Sequence, residues 1–239
     1  MGGCTGARPR GPEASVITPT RHRFVRTVLI CMLAFLPMAM LGTVSHEYGH
    51  ALAAWVGGCG AEVHFASTSW DCPPDTTAAM SLWMTAGGPL QTVAVGTFGL
   101  AGLWWSKRRW SKRRWSSGEG EGEGNKERPM RPLQWVWALL GLFWSRELFN
   151  AGMLGLAWAF DWATPERLAR GDEAKLSIAM GLPLGVVPAL TGLVGFAACL
   201  AVMRLWPRPD RLPLVIGGSI GSLVGYWLWM SVFGPALMP

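Results

Sequence analysis

Residues 27–50 read TVLICMLAFLPMAMLGTVSHEYGH, an uncharged apolar run that passes directly into a polar motif. About 20 mostly apolar residues are enough to cross a bilayer as a helix. The motif, His46-Glu47-Tyr48-Gly49-His50, has the pattern H-E-x-x-H. Histidines four positions apart lie one turn apart on one helical face, so both imidazoles can bind the same metal ion. The stretch therefore predicts one long helix, from about residue 24 to 55, with a metal site near its end.

The residue types of this motif indicate zinc chemistry. His46 and His50 are candidate zinc ligands, and Glu47 is the candidate catalytic residue, a general base for a water molecule activated by the zinc ion. The alternative reading is that these are two ordinary histidines near a membrane surface. Since half of the four histidines in the chain fall within five residues, the zinc interpretation is favoured.

The composition predicts an integral membrane protein. Half of the 239 residues are hydrophobic, only 15% are charged, and the charges are gathered in short segments. Further apolar stretches of span length occupy residues 76–106, 132–160, 174–206 and 212–239. The predicted fold is an all-α, polytopic membrane helix bundle of about five transmembrane helices, with residues 24–239 as one membrane-embedded domain.

The distribution of basic residues predicts the orientation of this bundle. Lys and Arg crowd the N-terminal segment and the loops after the second and fourth apolar stretches, whereas 57–77 and 161–175 are acidic or mixed. This pattern places the N-terminus in the cytoplasm, so the net charge of +6 reflects topology and no nucleic-acid partner is expected. The lack of organelle signals suits a bacterial inner (plasma) membrane.

Two segments have the composition of solvated, irregular chain. Residues 1–23 predict a disordered N-terminal segment, and residues 106–131, which are basic and then rich in Gly and Glu, predict a cytoplasmic linker. The linker begins with a tandem Ser-Lys-Arg-Arg-Trp repeat, which either fixes the topology or contacts anionic lipid headgroups. Cys59 and Cys72 share one predicted outer loop, where they are either bridged or free.

Polar and helix-weakening residues inside the second and third apolar stretches are candidates for supporting the site. Gly88 and Pro89 loosen the second helix or permit close packing, and the amide of Gln91 follows them. Ionisable residues within a membrane are costly and usually functional, which singles out Arg146, Glu147 and the nearby Asn150.

A catalytic zinc ion usually takes a third protein ligand. Four acidic residues are candidates: Glu147, Asp161, Asp172 and Glu173. His46 lies 20 residues beyond Arg26, or about 30 Å along a helix, which places the zinc site near the outer boundary of the membrane. Asp172 is predicted to begin a helix on that same side, so it is preferred, with Glu147 second.

These motifs resemble those of site-2-protease-like intramembrane zinc metalloproteases. That family places H-E-x-x-H in a membrane helix and takes a distant aspartate as third zinc ligand, in a context to which Asp172-Glu173-Ala174-Lys175-Leu176 is similar. Gly88-Pro89-Leu90-Gln91 resembles the family's Gly-Pro-Leu-x-Asn element. The resemblance covers about residues 25–180.

The functional expectation is a zinc metalloendopeptidase that hydrolyses a peptide bond in membrane protein substrates, within the bilayer or at its boundary. His46, His50 and Asp172 would hold the zinc ion, and Glu47 would be the base. Two alternatives stay open: a non-proteolytic membrane zinc hydrolase, and a non-enzymatic metal-binding scaffold.

Overall fold

The computed structural model describes residues 21–116 and 130–238. Most of the predicted disordered segment (1–20) and the centre of the predicted linker (117–129) therefore lie outside the described residues. The helices and strands follow in chain order: α1 (Arg21–Val56), β1 (Gly60–Val63), β2 (Thr68–Asp71), α2 (Ala78–Ser116), α3 (Pro132–Gly141), α4 (Trp144–Ala159), α5 (Pro165–Leu168), α6 (Asp172–Ala179), α7 (Val186–Leu205), a 3-10 turn (Arg208–Asp210), α8 (Arg211–Leu228), a π-helical turn (Trp229–Phe233) and α9 (Gly234–Leu237).

The chain is mostly helical, and three of its described helical segments are long and apolar enough to cross a membrane. They are Arg21–Val56, Val186–Leu205 and Arg208–Leu237. The first agrees with the predicted long helix, which runs without a break past Pro37 and ends before Gly57-Gly58. Three such segments are consistent with a membrane protein, but they do not make the predicted bundle of five spans.

The differences from five spans have local causes. The predicted stretch 132–160 is divided at Leu142 and Phe143 into α3 and α4, of 10 and 16 residues, each too short to cross a bilayer alone. The stretch 174–206 is likewise divided, because the chain turns at Gly181, with a positive φ of 70°, and Pro183 follows. In α2, frequent Gly, Thr and Trp residues dilute the apolar composition.

Helix α2 continues through Ser116, so the first part of the predicted linker is helical. Aromatic and basic residues four positions apart support this extension. The guanidinium of Arg108 lies 4.1 Å from the ring centroid of Trp104, and that of Arg109 lies 5.5 Å from the ring of Trp105. Such i, i+4 cation–π pairs stabilise a helix that its composition had assigned to solvated chain.

Glycines let α8 lie directly on the backbone of α1. Gly217 faces the carbonyl oxygen of Val28, and Gly225, two turns later, faces that of Leu36. The residue numbers of the contacting pairs increase in the same direction on α8 and α1, so the two helices run parallel. The absence of side chains at this seam permits contact between the backbones, as in other membrane helix pairs.

The remaining long helices pack antiparallel to their neighbours in sequence. Helix α2 runs back along α1, and α3 and α4 together run back along α2. Helix α7 then descends along α4, with Gly192 against Ala151 and Gly195 against the carbonyl of Trp144. The start of α1 and the end of α2 therefore lie at one end of the bundle, and the H-E-x-x-H motif lies at the other.

A small β-hairpin closes the motif end. Strands β1 and β2 are antiparallel, with Val63 opposite Thr68, and a disulfide joins Cys59 to Cys72 just outside the two strands. The hairpin loop is fastened to the end of the chain, because the indole Nε1–H of Trp229 donates a hydrogen bond of 2.7 Å to the carbonyl of Phe65. The predicted outer loop is thus a covered, cross-linked hairpin.

The seam between α1 and α8 predicts a large difference between two Gly→Ala substitutions. A Cβ at Gly221 would overlap the backbone carbonyl of Met32, and backbone cannot move aside cheaply. We expect Gly221→Ala to lower the free energy of unfolding by about 1–3 kcal/mol. In the control Gly152→Ala nothing lies within 4 Å of the new Cβ, so better helix propensity should raise stability by about 0.5–1 kcal/mol. Thermal unfolding in detergent measures both, and equal melting temperatures would contradict this packing.

Candidate metal centre

His46 and His50 occupy one buried face of α1 and point toward α2. Their relative exposures are 1% and 4%, and their rings meet edge to face with centroids 5.0 Å apart. This is the arrangement that the four-residue spacing predicts for a helix. Burial removes water as a partner, so each ring nitrogen must find its hydrogen bond within the protein.

Helix α2 determines which nitrogen of each ring carries the proton. The Nδ1 atom of His50 lies 2.8 Å from the carbonyl oxygen of Met84, which can only accept, and 3.3 Å from the backbone N–H of Gly88, which can only donate. The shorter contact favours Nδ1 as the protonated nitrogen. His46 Nδ1 lies 3.0 Å from the hydroxyl oxygen of Thr92, and that hydroxyl donates its own hydrogen to the carbonyl of Gly88. His46 Nδ1 is therefore the donor as well. Both Nε2 atoms, which lie against Gly88, are left with a lone pair.

Asp172 meets these two lone pairs. It is the first residue of α6, and its Oδ2 atom lies 3.2 Å from Nε2 of His46 and 3.2 Å from Nε2 of His50. Burial by itself would raise the pKa of this carboxyl, but the hydrogen-bonding contacts with the two histidines outweigh it and hold the pKa well below its usual range. The Nζ atom of Lys175 lies 3.5 Å from the other oxygen, Oδ1. The carboxylate is thus negatively charged where it faces the imidazoles.

Three atoms that can each offer an electron pair to a metal ion, His46 Nε2, His50 Nε2 and Asp172 Oδ2, converge on one point. Contacts of 3.2 Å between these atoms require a positive charge among them, either a proton on an imidazole or a metal ion. His46, His50 and Asp172 form the only group of at least three His, Cys, Asp or Glu side chains in the described part of the chain whose ligand atoms all lie within 4.8 Å of one another. The residues present therefore fit a metal ion, which the three could hold together.

Close approach of the backbones of α1 and α2 makes this geometry possible. Gly49 of the motif faces the carbonyl of Gly87, and a Cβ on either residue would overlap the other helix. A Cβ on Gly88 would overlap the Nε2 atoms of both histidines. Helix α2 stays continuous through Pro89, so the glycines serve close packing and the predicted loosening of the helix is not observed.

Glu47 lies beside this group but is not part of it. Its carboxyl is 6% exposed, and its Oε2 lies 3.1 Å from the hydroxyl of Thr68, which also lies 2.9 Å from the backbone carbonyl of Glu47. Thr68 begins β2, so the disulfide-linked hairpin holds Glu47. His46 directly precedes Glu47 in α1 and His50 follows it by three residues, so Glu47 is adjacent to both histidines along the helix.

The polar residues of α4 form a second layer behind the group. The positive charge of Arg146 acts on both His46 and Glu47, and its Nε has no hydrogen-bond partner within the described residues. Asn150 donates a 3.1 Å hydrogen bond to Oε1 of Glu173, next to Asp172 in the chain. Glu147, completely buried, lies against Glu173. Neither glutamate joins the three ligand atoms.

The other predicted site residues are placed as follows. Asp161 is exposed, in a turn with a positive φ of 51°, and lies outside the group. Gln91 packs against Gly49, with its amide oxygen buried. Sequence reasoning missed Thr92, Thr68 and the Met84 carbonyl. One signal was available for Thr92, because it lies four residues after Gly88 and hence on the same face of the second helix.

The hydroxyl of Thr92 predicts a specific effect on metal affinity. Thr92→Val keeps the shape of the side chain but removes the acceptor that fixes the ring of His46. Loss of a hydrogen-bond partner behind a metal ligand typically costs about 10–100-fold in affinity, and we expect that range for zinc. Thr85→Val, on the exposed side of the same helix, removes a hydroxyl bonded only to the carbonyl of Ser81 and is the control. Competition with a chromophoric chelator measures both. A parallel loss in the two variants would mean that Thr92 does not orient His46.

No protein-family model, curated protein or solved structure matches this chain. The case for a function therefore depends on the geometry of His46, His50 and Asp172, on the neighbouring Glu47, and on the helices that hold them.

Proposed function

We propose that this chain is a zinc-dependent peptidase that hydrolyses peptide bonds of membrane proteins at the boundary of the membrane. The observation that carries the proposal is the convergence of His46 Nε2, His50 Nε2 and Asp172 Oδ2 beside the buried carboxyl of Glu47. Two imidazoles, one carboxylate and a neighbouring glutamate are the donor set of a hydrolytic zinc site.

The distances are compatible with a zinc ion held by all three residues. Zinc bonds to imidazole nitrogen and carboxylate oxygen are about 2.0–2.2 Å long, so ligand atoms at two corners of a tetrahedron lie about 3.3–3.5 Å apart. The observed 3.2 Å from Oδ2 to each Nε2 is close to this value. Three protein ligands leave one tetrahedral position open, as in catalytic rather than structural sites. When bound, zinc supplies a Lewis acid that polarises a carbonyl and lowers the pKa of a water molecule toward 7.

Glu47 is the residue that moves the proton. Its carboxylate removes a proton from the attacking water as the water oxygen bonds to the scissile carbonyl carbon. When the carbon–nitrogen bond breaks, Glu47 returns that proton to the leaving amine. The hydroxyl of Thr68 supports this role by holding Oε2 in place, 3.1 Å away. The hairpin over Glu47 also excludes bulk water, which strengthens the electrostatic interactions inside.

Arg146 is the residue best placed to stabilise negative charge on the scissile carbonyl oxygen. Its charge already acts on the positions of His46 and Glu47. Asn150, the alternative expected from the sequence, donates to Glu173 and is engaged in holding α6. A guanidinium whose buried Nε–H has no partner within the described residues can stabilise an oxyanion more in the transition state than in the substrate, which is the requirement for catalysis.

The position of the motif supports action at a membrane boundary. His50 lies six residues before the end of α1, and the covering hairpin is rich in polar residues. The antiparallel packing supports five passes in all, with α2 and the pair α3–α4 crossing alongside the three apolar segments. The abundance of arginine at the opposite end supports a cytoplasmic N-terminus. The resemblance to site-2-protease-like enzymes supports the same substrate class, membrane proteins.

The proposal is tested by Glu47→Gln in proteoliposomes. The purified chain is reconstituted with zinc and a mixture of single-span membrane proteins, and new peptide N-termini are identified by mass spectrometry. Loss of a general base typically costs about 10²–10⁴-fold in rate, so new N-termini should fall to background while bound zinc is unchanged. Glu62→Gln, on the exposed strand β1, is the matched control and should cleave like the unaltered chain.

The remaining outcomes separate the alternatives. A purified chain that folds but holds no zinc would overturn the proposal, and zinc bound without any Glu47-dependent product would favour the non-enzymatic metal-binding scaffold. Zinc bound with no new N-termini, but with Glu47-dependent release of small products from lipids or amides, would replace the peptidase by another hydrolase. New N-termini that persist in Glu47→Gln would remove the proposed base.

A further inference from the structure

A cleft between α2 and α3 lies at the end of the bundle opposite the metal centre. Its volume is about 500 Å³. Gly88, at the metal centre, and Arg109, at the cleft, are 21 residues apart on α2, which corresponds to about 30 Å along the helix. Because this is the thickness of the hydrocarbon core of a bilayer, the five-pass topology proposed above places the cleft at the other membrane surface, as a separate site.

The floor of the cleft is apolar and aromatic. The ring of Phe98 meets the ring of Trp137 edge to face, with centroids 5.3 Å apart, and Ala101 and Gly102 complete the wall from α2. Phe98 is 65% exposed, and Leu133 on the α3 side is 59% exposed. A surface of this kind favours contact with acyl chains over contact with water.

The mouth of the cleft is cationic. Arg109, near the end of α2, and Arg131, just before α3, both line it. The antiparallel course of α2 and α3 brings these two arginines to the same end, although 22 positions separate them in the sequence. Trp105 lies between floor and mouth, and its ring holds the guanidinium of Arg109 at 5.5 Å. Trp is enriched where the hydrocarbon core of a membrane meets the lipid headgroups.

We propose that this cleft is a binding site for an anionic phospholipid. The phosphate would lie between the guanidinium groups of Arg109 and Arg131, which suit it because arginine binds phosphate oxygens with two parallel N–H groups. The first part of an acyl chain would lie along Phe98, Gly102 and Trp137. A soluble phosphate would leave the apolar floor uncovered, and a neutral lipid would bring no net negative charge to the cationic mouth.

The cleft also explains the order of residues in the basic repeat. Arg108 and Arg109 are neighbours, but their side chains diverge by about 100° around the helix. Arg108 folds onto Trp104, at 4.1 Å, and does not line the cleft, whereas Arg109 does. A general attraction of the basic repeat for anionic membranes would treat the two arginines alike, so their comparison isolates the cleft.

The test compares lipid binding of the full chain and its variants by native mass spectrometry after release from nanodiscs. The nanodiscs contain phosphatidylcholine with a minor fraction of phosphatidylglycerol. We expect one retained phosphatidylglycerol per chain, a roughly fivefold loss in Arg109→Gln and a larger loss when Arg131→Gln is added, as expected for arginines near a membrane surface. Arg108→Gln should retain the lipid.

Three results would overturn this site. They are equal retention of phosphatidylcholine and phosphatidylglycerol, equal losses in Arg108→Gln and Arg109→Gln, and full retention in the double variant. Arg109→Lys guards against misfolding, because it keeps the charge and should recover part of the binding. A photo-reactive amino acid in place of Leu133 gives a second readout, since its cross-link to phosphatidylglycerol should also depend on Arg109. We expect zinc binding to be unchanged in all of these variants, because the cleft lies about 30 Å from the metal centre along α2, so this proposal can fail while the proposed function stands.

Discussion

The candidate metal centre depends on the contact between the backbones of α1 and α2 at Gly49 and Gly87. Only without side chains there can α2 come close enough for a main-chain carbonyl and the Thr92 hydroxyl to reach the Nδ1 atoms of the two histidines. Those hydrogen bonds fix the tautomers, and the tautomers aim both Nε2 lone pairs at Asp172. The close packing of α1 and α2 thus orients the lone pairs that a metal ion requires.

The part of the site that the sequence predicts best is the part that is local. The spacing of His46 and His50 fixes their common face on any helix, and the apolar run before them requires a helix. The position of Asp172 followed from a count of membrane crossings, and the structure does bring its carboxylate to the histidines. The contacts that hold these groups were not predictable, because Thr92 and Met84 are related to the histidines only through the packing of two helices.

The lengths of helices predicted from composition were wrong where local interactions or breaks in the chain determine them. The basic repeat after residue 105 reads as solvated chain, yet α2 continues through it because Trp and Arg alternate with helical spacing. The apolar stretch before residue 160 reads as one span, yet its chain turns at Leu142 and Phe143 before resuming as α4. Apolar content alone determines neither the extension of α2 nor the break between α3 and α4, since both depend on side chains that meet after the helix has formed.

The break between α6 and α7 likewise explains how Asp172 reaches the buried pair of histidines. In a continuous helix from Asp172 through residue 205, the axis of the whole helix would set the direction of the first turn. Instead α6 is a separate helix of eight residues, so its tilt does not depend on the axis of α7. Contacts with α4 on one side and α7 on the other fix its position. Asn150 of α4 bonds to Glu173, and the hydroxyl of Ser177 accepts the backbone N–H of Val187 at the start of α7. The buried polar residues of α4, α6 and α7 thus have a physical purpose that an apolar interface could not fulfil, because directional hydrogen bonds set the rotation of α6 and so the direction of the Asp172 carboxylate.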